Sequence, residues 1–177
     1  VSLGVAMGLL AFAVPIRIWQ RWAPLLFLAG LALLVLVLIP GVGKVVYGAR
    51  RWLSLYVLNL QPSELMKLFV VLYAADYTVR KQDYMHEFTK GFLPMAIVLG
   101  AIGALLLLQP DLGAFGVIVA ISMGILFLGG VNGKLFAGIS AVLTIAFMLV
   151  IWLSPWRRDR IFAYLDPWSE ANALGKA

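Results

Sequence analysis

Residues 92–131 read FLPMAIVLGAIGALLLLQPDLGAFGVIVAISMGILFLGGV. Two apolar blocks, Phe92–Leu108 and Leu112–Val131, are parted only by Gln109-Pro110-Asp111. Crossing bilayer hydrocarbon takes roughly 17–25 apolar residues wound as a helix, and both blocks have that length. A backbone in lipid finds no water to bond, so blocks of this kind must be helical. The rest of the chain has the same character. Of 177 residues, 63% are apolar and 12% charged, with a mean hydropathy of +1.00. An ordinary soluble domain, nearer half apolar and a quarter charged, is thereby excluded. Cysteine is absent, which removes disulfides, thiolate zinc sites and cysteine nucleophiles. The single histidine, His86, cannot build a histidine metal cluster, and it sits in a charged loop that suits a solvated side chain. The net charge is +6, from 14 Lys+Arg against 8 Asp+Glu. In a soluble protein that excess would suggest nucleic acid. Here the basic residues lie in short segments between apolar blocks, so phosphate-bearing lipid is the expected partner and nucleic acid is not.

Four further blocks complete the pattern: Val1–Ile16, Ala23–Ile39, a less apolar stretch from Pro62 to Val79, and Leu135–Leu153. Pro40-Gly41, Gly129-Gly130 and Asn132-Gly133 supply breaks between them. The expected fold is an all-α polytopic membrane helix bundle of about six transmembrane helices, one transmembrane domain over residues 1–177. A chain that opens within an apolar block and closes in a polar, aromatic stretch reads as a segment of a longer protein. Alternating spans put Arg17, Arg21, Arg80, Lys81, Lys90 and Lys134 on one side, and Lys44, Arg50, Arg51, Arg157, Arg158, Arg160 and Lys176 on the other. The positive-inside rule asks for an imbalance and finds almost none. One set is therefore expected to serve an anionic ligand. The second is the better candidate, since Tyr47, Trp52, Trp156, Tyr164 and Trp168 are interleaved with it.

Ionised groups within a membrane helix cost about 2.5–3.5 kcal/mol each and normally face a protein-lined cavity. Gln61, Glu64 and Lys67 recur every three residues, so they share one broad helix face, and Glu64 can pair with Lys67. They read either as a buried structural ion pair or as the polar wall of a substrate cavity. Asp111 reads either as the cap of the fifth span or as a carboxylate at the membrane rim that aligns a cation or a substrate hydroxyl. Asp76 and Arg80, four residues apart, read as a simple ion pair. Arg50-Arg51-Trp52 reads either as an interfacial anchor or as a pyrophosphate clasp, since arginine forks match phosphate oxygens. Trp156–Arg160 admits the same two readings.

Four strings occur in order: Gly48-Ala49-Arg50-Arg51-Trp52-Leu53, Gln61-Pro62-Ser63-Glu64-Leu65-x-Lys67, Gln109-Pro110-Asp111-Leu112-Gly113, and Arg160-Ile161-x-x-x-Leu165-Asp166-Pro167-Trp168. Together they resemble the shape, elongation, division and sporulation family of FtsW, RodA and SpoVE. Asp166-Pro167-Trp168 and the charged loop Arg80–Lys90 are closer to the division branch than to the elongation branch. The resemblance implies a bundle of ten helices, of which this chain holds the second through the start of the large external loop. It implies a bacterial inner-membrane protein of the division septum that polymerises lipid II into glycan strands beside a class B penicillin-binding protein. An inverting glycosyl transfer is implied, with a divalent cation as an optional aid. Arg50, Arg51, Trp52, Gln61, Glu64, Lys67, Asp111 and Arg160 are implied as substrate-binding or cavity residues, with Asp166 and Pro167 structural. The family's essential aspartate lies further along the external loop, so no catalytic residue falls in this chain, which is expected to be inactive alone. Two other roles remain open at this point: a lipid II flippase, and a scaffold that recruits the partner synthase.

Overall fold

The structure, a computed structural model, describes residues 2–40, 42–46, 49–55 and 58–155. Among them are six α-helices and three short strands: α1 (Ser2–Ala13), α2 (Ile16–Leu38), β1 (Gly43–Val46), β2 (Ala49–Leu55), β3 (Leu58–Leu60), α3 (Pro62–Arg80), α4 (Leu93–Leu108), α5 (Leu112–Leu128) and α6 (Gly133–Trp152). Ile16–Leu38, Phe88–Leu108 and Gly133–Trp152 are each long and apolar enough to span a bilayer, and α5 is a shorter apolar helix. This is a multi-pass membrane chain.

Two compact units are present, residues 1–133 and 134–177. In the second, α6 is apolar apart from Lys134, Ser140 and Thr144, and Thr144 Oγ1 donates back to the Ser140 carbonyl at 2.8 Å. That bond hides a hydroxyl that lipid could not satisfy.

In the first unit α3 is the central helix. Between membrane helices, close packing rather than apolar burial supplies the attraction, because lipid tails are as apolar as leucine. The buried stripe of α3 is Ser63, Met66, Val70, Ala74 and Tyr77, at helical spacing. It meets the stripe Ala23, Phe27, Gly30, Leu34 and Val37 on α2, with Phe27 stacked on Tyr73 at 4.4 Å between ring centroids. On its other flank α3 lies beside α5, running parallel to it. Ser63 meets Asp111 at one end, and Thr78 meets Gly129 at the other. α4 packs against α5, where Phe115 occupies the space that a Cβ on Gly103 would need, 2.6 Å from its ring. The ends of the bundle thus differ. One carries the sheet; the other carries the charged loop, where Asp76 and Arg80 pair at 2.7 Å as expected and His86 is exposed. At this loop end the Tyr77 hydroxyl donates to the Gly91 carbonyl at 2.7 Å. Tyr77→Phe should cost about 1 kcal/mol, the net worth of a neutral hydrogen bond, read as a lowered Tm of the full-length protein in detergent.

Two expectations need correction. The first two blocks were divided at Arg17–Trp22, but the break falls at Pro15, whose extended backbone (φ −62, ψ 141) precedes a continuous 23-residue α2. Arg17 and Arg21 belong to that helix. Arginine is a good helix former whose long stem lets the guanidinium reach the headgroup layer, so it need not end a span. The expectation of an all-α fold also changes, because the segment between α2 and α3, which lies outside the apolar blocks, carries an antiparallel sheet in the order β1-β2-β3. Lys44 pairs with Trp52 and Leu53 with Leu60, with an irregularity between Lys44 and Val45. The helical bundle class stands, with this sheet added at one end.

Candidate functional site

The polar residues singled out in sequence gather where α3 and α5 begin. Gln61 holds extended backbone (φ −102, ψ 108), and Pro62 then opens α3 with its φ already set for a helix. That start places Ser63 one residue into α3, facing the first turn of α5. Asp111 is the N-cap of α5, where its Oδ1 accepts from the Ala114 N–H at 3.3 Å. Its other oxygen, Oδ2, accepts from the Ser63 hydroxyl at 3.0 Å and from Gln61 Nε2 at 3.3 Å. Gln61 Nε2 also donates to Ser63 Oγ at 3.0 Å. Ser63 and Asp111 are buried, 1% and 7% exposed. A buried carboxylate persists only when donors or cations replace its hydration. Asp111 therefore caps a helix and also centres a network.

The cation is Arg51. From β2 its Nε donates to the Gln109 carbonyl at 3.2 Å and its Nη2 to the Pro110 carbonyl at 2.6 Å, while Nη1 lies 3.9 Å from Asp111 Oδ1. Gln109 in turn is buried and sends Nε2 to the Leu34 carbonyl of α2 at 2.9 Å. Three consecutive residues, Gln109-Pro110-Asp111, thus bind α2, β2, α3 and α5 at one point. Ser63 and Gln109 had no role in the sequence reading, although both stand inside the quoted strings. A small hydroxyl at a helix start and an amide before Pro-Asp were the available signals.

Glu64 and Lys67 pair at 2.7 Å, as their spacing predicted. They are not buried together. The Glu64 side chain is 58% exposed and that of Lys67 26%, because both lie to one side of the α3 stripe that packs inward. Gln61 parts company with them and turns to Asp111. Trp52 is half-buried in β2. Arg50 belongs to β2 as well, but its side chain lies outside the described residues, as do Arg160, Asp166 and Pro167. The described residues form no ready-made metal site. They contain no group of three His, Cys, Asp or Glu that could hold one, and the Asp111 oxygens are engaged by Gln61, Ser63, Ala114 and Arg51. Two cavities, about 370 and 250 Å³, open at the loop end, between α3 and α5 and between α2 and α3.

The model of the FtsW, RodA and SpoVE family, described as a cell cycle protein, matches residues 1–176. The chain belongs to that family. It is 62% identical, over all its length, to the probable peptidoglycan glycosyltransferase FtsW of Burkholderia thailandensis, of which it covers 39%. It is 61% identical, over 98% of its length, to the probable peptidoglycan glycosyltransferase FtsW of Aromatoleum aromaticum, of which it covers 42%. The chain therefore spans about two fifths of these relatives. Two solved structures share the fold. The rod shape determining protein RodA of Thermus thermophilus superposes with a TM-score of 0.69 at 29% identity, over 85% of this chain and 47% of that one. A chain of a peptidoglycan synthase complex does so with a TM-score of 0.73 at 30% identity, over 98% of this chain and 51% of that one.

Proposed function

We propose that the full-length protein to which this FtsW/RodA/SpoVE chain belongs is a peptidoglycan glycosyltransferase. It polymerises lipid II into glycan strands at the division septum of the bacterial inner membrane, beside a class B penicillin-binding protein. The observation that carries this reading is the way α3 divides its polar groups. Gln61, Ser63, Glu64 and Lys67 fill its first two turns at the sheet end, and Asp76 and Arg80 pair with each other at the loop end. Residues 68–75, LFVVLYAA, carry no charge between them. A site at one membrane face fits that division. A flippase needs a hydrophilic path through the bilayer, and α3 offers none in its middle turns. A pure scaffold gives no reason for a half-exposed ion pair beside a buried carboxylate network.

The reaction joins two lipid-linked disaccharides. The acceptor hydroxyl attacks the donor anomeric carbon, the bond to undecaprenyl pyrophosphate breaks, and the configuration inverts. A base must take the hydroxyl proton; the family resemblance gives that task to an aspartate in the external loop beyond residue 177. Positive charge must meet the departing pyrophosphate, and Arg50 and Arg160 are assigned to it. Glu64 and Lys67 are assigned to the substrate side of the Asp111 network, with the sheet end facing outward.

The deciding experiment reconstitutes the full-length protein with its partner synthase in proteoliposomes and supplies lipid II on the outer face only. Glycan polymer is the expected product. Lipid II label that crosses the bilayer without polymer would overturn the reading in favour of a flippase, and neither signal would favour the scaffold. Lys67→Met should lower polymer yield tenfold or more, in the range of losing one charge-stabilising donor. Its Tm should hardly move, since a half-exposed pair contributes only about 0–1 kcal/mol. Melting curves run beside the polymerisation assay check both parts.

A further inference from the structure

The guanidinium of Arg51 is already committed. Its Nε and Nη2 donate to two successive carbonyls of the turn between α4 and α5, and its Nη1 faces the Asp111 carboxylate. Those carbonyls belong to the residues that also reach α2 through Gln109 and cap α5 through Asp111. Nε and Nη2 form the side-on edge of the guanidinium, so a phosphate forked on that edge would have to displace both carbonyls, and one drawn to Nη1 would compete with the Asp111 carboxylate. A side-on phosphate fork and the observed network therefore compete for the same N–H groups. The side chain is also mostly covered, 22% exposed, where a waiting phosphate ligand would stand open.

We propose that Arg51 is a positioning residue: it fastens β2 to the α4–α5 turn and sets the Asp111 carboxylate, without touching the substrate's pyrophosphate. The planar fork is what the task requires, because Nε and Nη2 reach two neighbouring carbonyls at once. The ammonium of lysine is a single point and reaches one. The sheet is thereby held in register with the start of α3, where Glu64 and Lys67 stand. The kinetic consequence rests on the transferase reading; the mechanical one does not.

The test uses the full-length protein with its partner, as wild type, Arg51→Lys, Arg51→Ala, Asp111→Asn and the double variant Arg51→Ala/Asp111→Asn. In lipid II polymerisation, Arg51→Lys should lower kcat about tenfold while KM stays within about threefold, as expected when a charge-assisted contact is lost away from the substrate. Amide exchange across residues 43–60 should quicken in Arg51→Lys. The double variant should melt no lower than the worse single variant, because both changes break one network. Arginine bound to pyrophosphate predicts the opposite: KM rises about tenfold or more, exchange and melting stay at wild-type values, and the two changes add. That set of results would overturn the proposal, as would an Arg51→Lys protein equal to wild type in every readout. If wild type itself makes no polymer, the transferase reading fails, and exchange and melting alone decide the role of Arg51. If Arg51→Ala does not fold, the cycle runs with Arg51→Lys in its place.

Discussion

Asp111→Ala in the full-length protein is expected to lower stability by about 3–5 kcal/mol, the range found when one partner of a buried charged pair is removed. Loss of the helix cap supplies about 0.5–2 kcal/mol of that. The remainder comes from the donors left behind: the Ser63 hydroxyl, the Gln61 amide and the Arg51 guanidinium all lose an acceptor in a place with little water. Asp111→Asn is the informative control. It keeps a carbonyl oxygen for the Ala114 N–H and so retains the cap, but its amide nitrogen meets Gln61 Nε2 donor to donor, and the Ser63 hydroxyl must turn from donor to acceptor. It should fall between wild type and alanine. Thermal melting in detergent reads the order, and polymer yield should fall in the same order. Should both variants melt with wild type, water would be satisfying the carboxylate and the network would carry no weight.

The second large effect is expected at Gly43, the first residue of β1. A Cβ there would collide with the Val37 carbonyl oxygen in the last turn of α2. Backbone on both sides of the collision cannot turn aside as a side chain would, so Gly43→Ala must lift β1 from the helix. Overpacking of this kind costs about 1–3 kcal/mol, and more when backbone is involved. Gly100→Ala on α4 is the matched control, because its Cβ would meet nothing within 4 Å. A lower Tm for Gly43→Ala, with faster amide exchange in residues 43–60 and an unchanged Gly100→Ala, is the expected result. Equal behaviour of the two would mean that the sheet does not rest on α2.

Much of this architecture is legible in the sequence, and the illegible parts share a cause. Apolar blocks and their breakers locate α3, α4 and α5 closely, because lipid leaves the backbone no alternative to a helix. The Glu64–Lys67 and Asp76–Arg80 pairs follow from helical spacing alone. The sheet was missed because a search for blocks of about twenty residues passes over strands of three to seven. Its signal was the short apolar-polar-apolar run Leu53-Ser54-Leu55 beside the aromatic Trp52. The division at Arg17–Trp22 failed because charge was treated as the edge of a span, where arginine can snorkel. Arg51 was legible as a fork seeking oxygen, but carbonyl and phosphate oxygens satisfy the same fork. Which one it meets depends on a turn 58 residues away in the chain. The same holds for Ser63 and Gln109, whose partners lie 48 and 75 residues distant.

Pro24 sits inside α2, one residue past Ala23, where the buried stripe of that helix begins. It has no N–H to offer the Gln20 carbonyl, so the helix is mechanically weakest at that level. Toward its C-terminus α2 is gripped by Tyr73, by Gln109 and by the neighbouring strands; toward its N-terminus Arg17, Gln20, Arg21 and Trp22 are exposed. A push applied to the Arg17–Trp22 segment is absorbed as bending at this joint before it reaches the clamped half. α3 has no proline past its first turn, so a pull on the 81–90 loop would be carried along its length to Glu64 and Lys67.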